Sequence, residues 1–146
     1  MAGAMIRICL DSSVIIYLIE GAPTFHDPVI RAIQQTGLRG AVYVLSDLTR
    51  LECRVRPLRE NDPKRLGSFD AFFAQPDVVR VDLSTALFDR ATWIRAHHSL
   101  KVADAIHLAT ALEYQCDEFW TGDRKLAGVA AGFIRVSRFD SGAGAP

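Results

Sequence analysis

Four acidic side chains in this sequence stand in surroundings that suit chemistry: Asp11, Glu52, Asp104 and Asp123. Asp11 lies between Ile8-Cys9-Leu10 and Ser12-Ser13-Val14-Ile15-Ile16, and Asp104 lies within Val102-Ala103-Asp104-Ala105-Ile106. A charge embedded in an apolar run needs a partner or a metal, because stripping it of water without compensation is costly. Taken singly, each acid has a plainer explanation as a solvated charge or a helix cap. Taken together, they suggest one site. Carboxylates that share a site raise each other's pKa, and one tends to protonate. A divalent cation removes that penalty, and an all-oxygen ligand set suits Mg2+ or Mn2+. Zinc is not indicated. Cys9, Cys53 and Cys116 are widely spaced and odd in number, with no Cys-x-x-Cys pair, so they read as buried reduced thiols.

For the acids to converge, the chain must bring distant segments to one edge. Met5 to Leu10 reads as a strand, Val14 to Glu20 as a helix ending at Gly21, and His26 to Thr36 as a helix with Pro28 near its start. Gly37 and Gly40 punctuate a turn before a strand at Ala41 to Leu45. Ser46 or Asp47 can cap the helix that carries Leu48, Leu51, Glu52 and Val55, which Pro57 ends or bends. Asp62-Pro63 opens a helix running to about Ala74, and Asp77 to Leu83 is the third strand. A helix then runs from Ser84 or Thr85 to His97, and Ser99 is placed to cap the next, Leu100 to Tyr114. Glu118 to Thr121 is a short strand, Arg124 to Ala131 a short helix, and Phe133 to Phe139 the last strand.

Strands alternating with helices imply an α/β fold: a mostly parallel sheet of about five strands with helices on both faces, a three-layer α/β/α sandwich. Ligand crevices in such sheets lie beyond the carboxyl ends of the strands. Asp11 and Asp123 follow strands directly, and Glu52 and Asp104 lie in early turns of helices that leave the same edge. The helix dipole also favours a negative charge at the Asp104 position.

The bulk properties narrow the class. A chain of 146 residues, 49% hydrophobic and 23% charged, suits one soluble domain. Residues 1–4 read as an N-terminal extension, 5–139 as the domain and 140–146 as a disordered tail. No apolar run is long enough to cross a membrane, and no secretory signal is apparent, so a cytoplasmic protein is expected. The net charge is zero, with 17 basic and 17 acidic side chains, so any affinity for nucleic acid must come from a local patch. Arg50, Arg54, Arg56, Arg59, Lys64 and Arg65 form such a cluster, readable either as a phosphate-binding surface or as a solvated helix face.

Four segments carry a resemblance. Leu10-Asp11-Ser12-Ser13-Val14-Ile15-Ile16-Tyr17 resembles the opening of a PIN domain, and Leu45-Ser46-Asp47-Leu48-Thr49-Arg50-Leu51-Glu52 resembles the segment bearing that family's second acid. Lys101 to Ala111, with its Asp104-Ala105-Ile106-His107-Leu108-Ala109 run, is similar to the family's third-acid helix. Cys116 to Leu126 resembles the last motif, where a strand ends in Thr-x-Asp. The four occur in the family's order and together span about Met5 to Phe139. Small chains of this kind resemble VapC-type toxins of bacterial toxin–antitoxin pairs.

The resemblance implies a PIN-like sandwich and an endoribonuclease, inhibited by a small VapB-like antitoxin and often homodimeric. It implies Asp11, Glu52, Asp104 and Asp123 as both catalytic and metal-binding residues, with Mg2+ or Mn2+ as the cofactor. Ser13 and Thr121 would be hydroxyls supporting Asp11 and Asp123, although small hydroxyls also cap helices and end strands. His107 lies one helical turn from Asp104 and reads better as a packed helix histidine than as part of the site. The expected reaction is metal-assisted hydrolysis of an RNA phosphodiester, with Glu52 acting directly or through water. Arg50, Arg54, Arg124 and Lys125 are the first candidates for phosphate contacts.

Other classes remain open to test. A haloacid-type phosphatase wants a second Asp two residues after the first, where this chain has Ser13, and a receiver domain wants its Asp at the third strand, where Asp77 and Asp82 lie in poor contexts. A housekeeping PIN nuclease without an antitoxin, or a non-catalytic RNA- or protein-binding PIN module, would share the fold.

Overall fold

The computed structural model describes residues 5–139; the expectations for residues 1–4 and 140–146 lie outside them. Five strands, β1 (Arg7–Leu10), β2 (Val42–Ser46), β3 (Val78–Val81), β4 (Glu118–Thr121) and β5 (Arg135–Arg138), form one sheet in the order β3-β2-β1-β4-β5. Every neighbouring pair is parallel, so the sheet is not merely mostly parallel. Parallel pairing demands long crossovers. Helices supply them: α1 (Ser12–Glu20), α2 (Pro23–Gly37), α3 (Asp47–Arg59), α4 (Pro63–Phe73), α5 (Thr85–His98), α6 (Val102–Glu113) and α7 (Arg124–Ala130).

Alternation along the strands builds two cores. Ile8, Leu10 and Trp120 point into one cluster with Val14, Val29, Cys53 and Phe69, so α1 to α4 cover that face. Cys9 and Phe119 point the other way, into a cluster with Leu87, Ile94, Ala105, Leu108 and Leu126 from α5 to α7. Strands buried on both faces read as near-continuous apolar runs, as β1 does. The expected three-layer sandwich is therefore present. Among the described residues, no helix is long and apolar enough to cross a membrane.

The strand order brings Asp11 and Asp123 to one edge of the sheet. Successive crossovers from β1 move outward through β2 to β3, and the chain then returns to the other side of β1 as β4. The order reverses between β1 and β4, and crevices open at such switch points. Asp11 follows β1 and Asp123 follows β4.

Most elements differ from the sequence expectation by one or two residues at an end, β3 and β5 being shorter than expected, and three differences have a local reason. Helix α2 begins at Pro23, not near His26; Pro23 takes a first-turn position where a missing N–H is harmless, and Pro28 lies inside the helix. Helix α3 passes through Pro57 and stops two residues later at Arg59. Ser99 does not cap α6. It closes α5 in the left-handed region at φ 52°, its amide donating to the Arg95 carbonyl, and Lys101 takes the N-cap of α6 without a side-chain bond. A residue spent on reversing the chain is not placed to cap the next helix.

Candidate active site

Asp11 is buried, 4% exposed, at the junction of β1 and α1. Its amide donates to the Trp120 carbonyl at 3.1 Å, which extends the β1–β4 pairing by one residue. Its carboxylate caps α1 by accepting from the Val14 amide at 3.3 Å. The same Oδ1 accepts from the Ser13 hydroxyl, and Oδ2 accepts from the Thr121 hydroxyl. Burial pushes the Asp11 pKa up; His107, the Ser13 and Thr121 hydroxyls and the Val14 amide pull against it without cancelling it.

Thr121 does more than support Asp123. Its Oγ1 donates to Asp11 and accepts from the Asp123 amide at 3.0 Å, so one hydroxyl joins the ends of β1 and β4. Ser13 makes a second tie, accepting from the Gly122 amide at 2.8 Å. The expected supporting roles are thus refined: Ser13 and Thr121 both bind Asp11, and both hold the loop that carries Asp123. Asp123 is exposed and caps α7 by accepting from the Leu126 amide at 2.8 Å.

That loop needs glycine. A Cβ on Gly122 would stand 2.6 Å from Tyr17 Cε2 and 2.7 Å from its hydroxyl oxygen, and the Tyr17 ring is itself stacked on Phe25 at 4.8 Å. Gly122→Ala is therefore expected to cost about 1–3 kcal/mol by overpacking. It should also displace Thr121 and Asp123 and lower any activity of the site more than about tenfold, as one misplaced group can. Urea unfolding and an activity assay on the same preparation check this; an unchanged midpoint would show that Tyr17 simply swings away.

Glu52 lies on α3, half-buried, and is held by two donors. Ser12 Oγ donates to its Oε1 at 3.0 Å, and His107 Nε2 lies 2.6 Å from the same oxygen. Burial would raise the Glu52 pKa, but the bond and charge of His107 and the bond from Ser12 outweigh it and hold the carboxyl below its usual range. His107 is indeed packed, 3% exposed among apolar neighbours on α6, yet it also binds a site acid. The packed-histidine reading was incomplete. The Asp104–His107 spacing of one helical turn, with a lone imidazole in an apolar run, was the signal. Ser12 gave none beyond its place beside Asp11.

Asp104 sits in the first turn of α6, partly buried. Burial raises its pKa, and the charges of Asp123, Asp11 and Glu52 raise it further against the pull of His107. The field of the other three acids therefore reaches Asp104. Asp11 and Asp123 are joined through Thr121, and Asp11 and Glu52 through Ser12, the neighbour of the first. Among the described residues, no three Asp, Glu, His or Cys side chains close around a point as a ready-made ion cage.

The candidate basic residues divide. Arg54 pairs with Asp70 at 2.9 Å, and Arg50 pairs with Asp47 at 3.5 Å and lies over the Phe73 ring. Arg56 and Arg65 pair with Glu20 and Glu60, and Arg65 also with Asp62. Much of that cluster is tied to α1 and α4. Lys125 donates to the Ser99 carbonyl at 2.8 Å, and Arg124 is exposed at the start of α7 beside Asp123. All three cysteines are free thiols; Cys9 and Cys53 are buried, whereas Cys116 is only partly so.

A family model described as PIN domain matches residues 8–132. No curated protein matches the chain. Similar solved structures include VapBC2 from Rickettsia felis bound to a DNA fragment from its promoter, at 11% identity and TM-score 0.72, covering 92% of this chain and 100% of that one. DNA-bound VapBC from Salmonella typhimurium is similar at 16% identity and TM-score 0.72, covering 92% and 99%. A toxin–antitoxin complex from Klebsiella pneumoniae is similar at 22% identity and TM-score 0.62, covering 89% and 95%. At these identities the likeness concerns the fold.

Proposed function

The chain belongs to the PIN domain family, and we propose that it is a divalent-metal-dependent endoribonuclease, the toxin of a toxin–antitoxin pair. One arrangement carries the nuclease reading: the Thr121 hydroxyl joins Asp11 to Asp123, Ser12 beside Asp11 binds Glu52, and the charges of Asp123, Asp11 and Glu52 bear on the half-buried Asp104 carboxyl. Like charges arranged so that they destabilise one another are costly unless a cation joins them.

The donor set suits a hard cation. It is all oxygen, and His107 is engaged with Glu52. Neither buried cysteine suits a thiolate ligand: the Cys9 thiol is pushed up by its contact with Cys116 and by burial, and the Cys53 thiol by burial and then by Glu52, Asp11 and Glu20. Carboxylates suit Mg2+, which keeps several waters and is bound through one or two carboxylates plus substrate phosphate. Mn2+ shares that preference for oxygen.

Asp11, Asp104 and Asp123 would hold the cation, with Glu52 joining directly or through water. When bound, the cation lowers the pKa of water and offsets charge on the leaving oxygen. Ser13 and Thr121 keep the Asp11 carboxylate oriented by occupying both its oxygens. Arg124, exposed at the start of the helix that Asp123 caps, is the first candidate to meet substrate phosphate, followed by Lys125, which donates to the Ser99 carbonyl, and by Arg50 and Arg54, which pair with Asp47 and Asp70.

The partner reading rests on the family and on the described complexes of the similar structures, which are toxin–antitoxin pairs. We take the antitoxin to be a small VapB-like protein and the assembly to contain a homodimer of this chain. Reduced thiols suit a cytoplasmic setting.

The test is cleavage of mixed cellular RNA by the purified chain with Mg2+ or Mn2+, with and without EDTA. Cleavage that EDTA abolishes, and that the protein encoded beside this gene suppresses, is the expected result. RNA left intact under every metal condition overturns the nuclease reading. Cleavage by a chain that is harmless on overexpression and has no inhibitory neighbour gene overturns the toxin role and leaves a housekeeping nuclease.

A further inference from the structure

Two donors meet on one oxygen of Glu52. Ser12 Oγ lies 3.0 Å and His107 Nε2 2.6 Å from Oε1, and the hydrogen bonds that the structure gives this carboxylate all fall there. The donors come from different parts of the fold. Ser12 opens α1, and His107 lies on α6, whose neighbouring residues Ala105, Ile106 and Leu108 pack in the opposite core from Cys53, the residue after Glu52. The backbone around both donors is also held. Cys53 Sγ donates to the Ser12 carbonyl at 3.9 Å, and Cys9 Sγ donates to the His107 carbonyl at 3.8 Å. A buried imidazole among apolar side chains needs a hydrogen-bond partner. Here that partner is the one acid of the four that lies well inside a helix instead of at its first turn or cap.

We propose that His107, with Ser12, is a positioning residue for Glu52: the two donors hold Oε1 and so present Oε2 to the cation or its water shell. This rests on the metal-dependent reading above and adds how its longest acidic side chain is aimed. Glutamate has three rotatable side-chain bonds and must give up that freedom to serve an ion. Two fixed donors on one oxygen remove the freedom before the ion arrives, which is the gain of preorganisation. Groups that orient a metal-binding side chain are typically worth about 10- to 100-fold in metal affinity.

The test measures Mn2+ binding alone, by the loss of the free-ion EPR signal, in wild type, His107→Leu, His107→Gln, Ser12→Ala, Glu52→Ala, Asp104→Asn and the doubles of the donor variants with Glu52→Ala. His107→Leu is expected to weaken binding about 10- to 100-fold. His107→Gln, whose side-chain amide can donate from nearly the same place, should recover most of it, and Ser12→Ala should lose less than His107→Leu. In the Glu52→Ala background neither change should matter further. Should His107→Leu fail to fold, Ser12→Ala and His107→Gln carry the comparison, because Ser12 is only partly buried and Gln keeps the donor. The positioning role is overturned if Glu52→Ala weakens binding while both donor variants bind like wild type. It is equally overturned if the donor variants weaken binding as much without Glu52 as with it. Loss on Asp104→Asn but not on Glu52→Ala also overturns it while leaving the metal reading intact. Binding unchanged by Asp104→Asn and Glu52→Ala alike overturns the metal reading itself.

Discussion

Asp104→Asn is expected to lower RNA cleavage by about two to three orders of magnitude while making the metal-free protein more stable. The loss follows from removing one of the charges that would hold the cation, whose stabilisation of a phosphoryl transition state is worth several kcal/mol at about 1.4 kcal/mol per tenfold. The gain follows from the sign of the pKa shift. Burial and three neighbouring acids raise the Asp104 pKa above its ordinary value of 3.8. The folded state therefore holds that proton more tightly than the unfolded state. This contribution to stability is fully present below the unfolded pKa and is lost as pH rises through the folded one. At neutral pH the ionised carboxylate is a standing penalty, which a neutral amide of the same shape removes. In EDTA, melting curves of the variant and wild type should be furthest apart at neutral pH and converge as the pH falls toward the ordinary carboxylate range. Adding Mn2+ should then stabilise wild type more than the variant, because a ligand stabilises by its preference for the folded state. Wild-type cleavage by Asp104→Asn would remove this acid from the site, and a variant less stable than wild type at every pH would show that its charge is not strained.

Asp11, Asp104 and Asp123 were legible because their signal is local: an acid after an apolar strand, or in the first turn of an apolar helix, is anomalous within a window of a few residues. The plain alternative, helix capping, describes two of them. Asp11 and Asp123 are both helix N-caps, accepting from Val14 and Leu126, and a carboxylate that caps a helix through one oxygen can still serve a shared site. Glu52 was legible only through its motif, since the side chain that fixes it lies 55 residues away on another helix. No periodicity in α6 distinguishes an imidazole that packs from one that packs and also reaches across to α3. The arginine cluster was ambiguous for the same reason. Arg54 finds Asp70 and Arg65 finds Glu20 across helix–helix contacts, and those pairings decide how much positive charge is left for a ligand. The parallel sheet followed from alternation, but the boundary at Ser99 did not. A non-glycine residue in the left-handed region is uncommon, and its serine side chain looks like a cap in sequence.

Trp120→Ala is expected to cost about 3–5 kcal/mol of folding stability, from lost burial and the cavity left behind. That is a large share of the roughly 5–15 kcal/mol available to a domain. Trp120 is 1% exposed, pairs in register with Leu10, and packs against Tyr43 and Phe139 with ring centroids at 6.1 and 5.2 Å. Its indole N–H donates to Glu118 at 3.2 Å, so the ring is fixed in orientation as well as packed. The damage should not be confined to stability. The Trp120 carbonyl accepts the Asp11 amide at 3.1 Å, and the next residue, Thr121, binds the Asp11 carboxylate and the Asp123 amide. A cavity under the end of β4 loosens the strand that carries these ties. Phe69→Ala provides the comparison. Phe69 is fully buried in the same core but sits on α4. Both variants should lower the urea midpoint by several tenths of the wild-type value or more. Only Trp120→Ala should also weaken Mn2+ binding by the fraction that remains folded, measured at low temperature without denaturant. Equal Mn2+ affinity in the two variants would mean that the acids are held by their own hydroxyl network, independent of the core beneath β4.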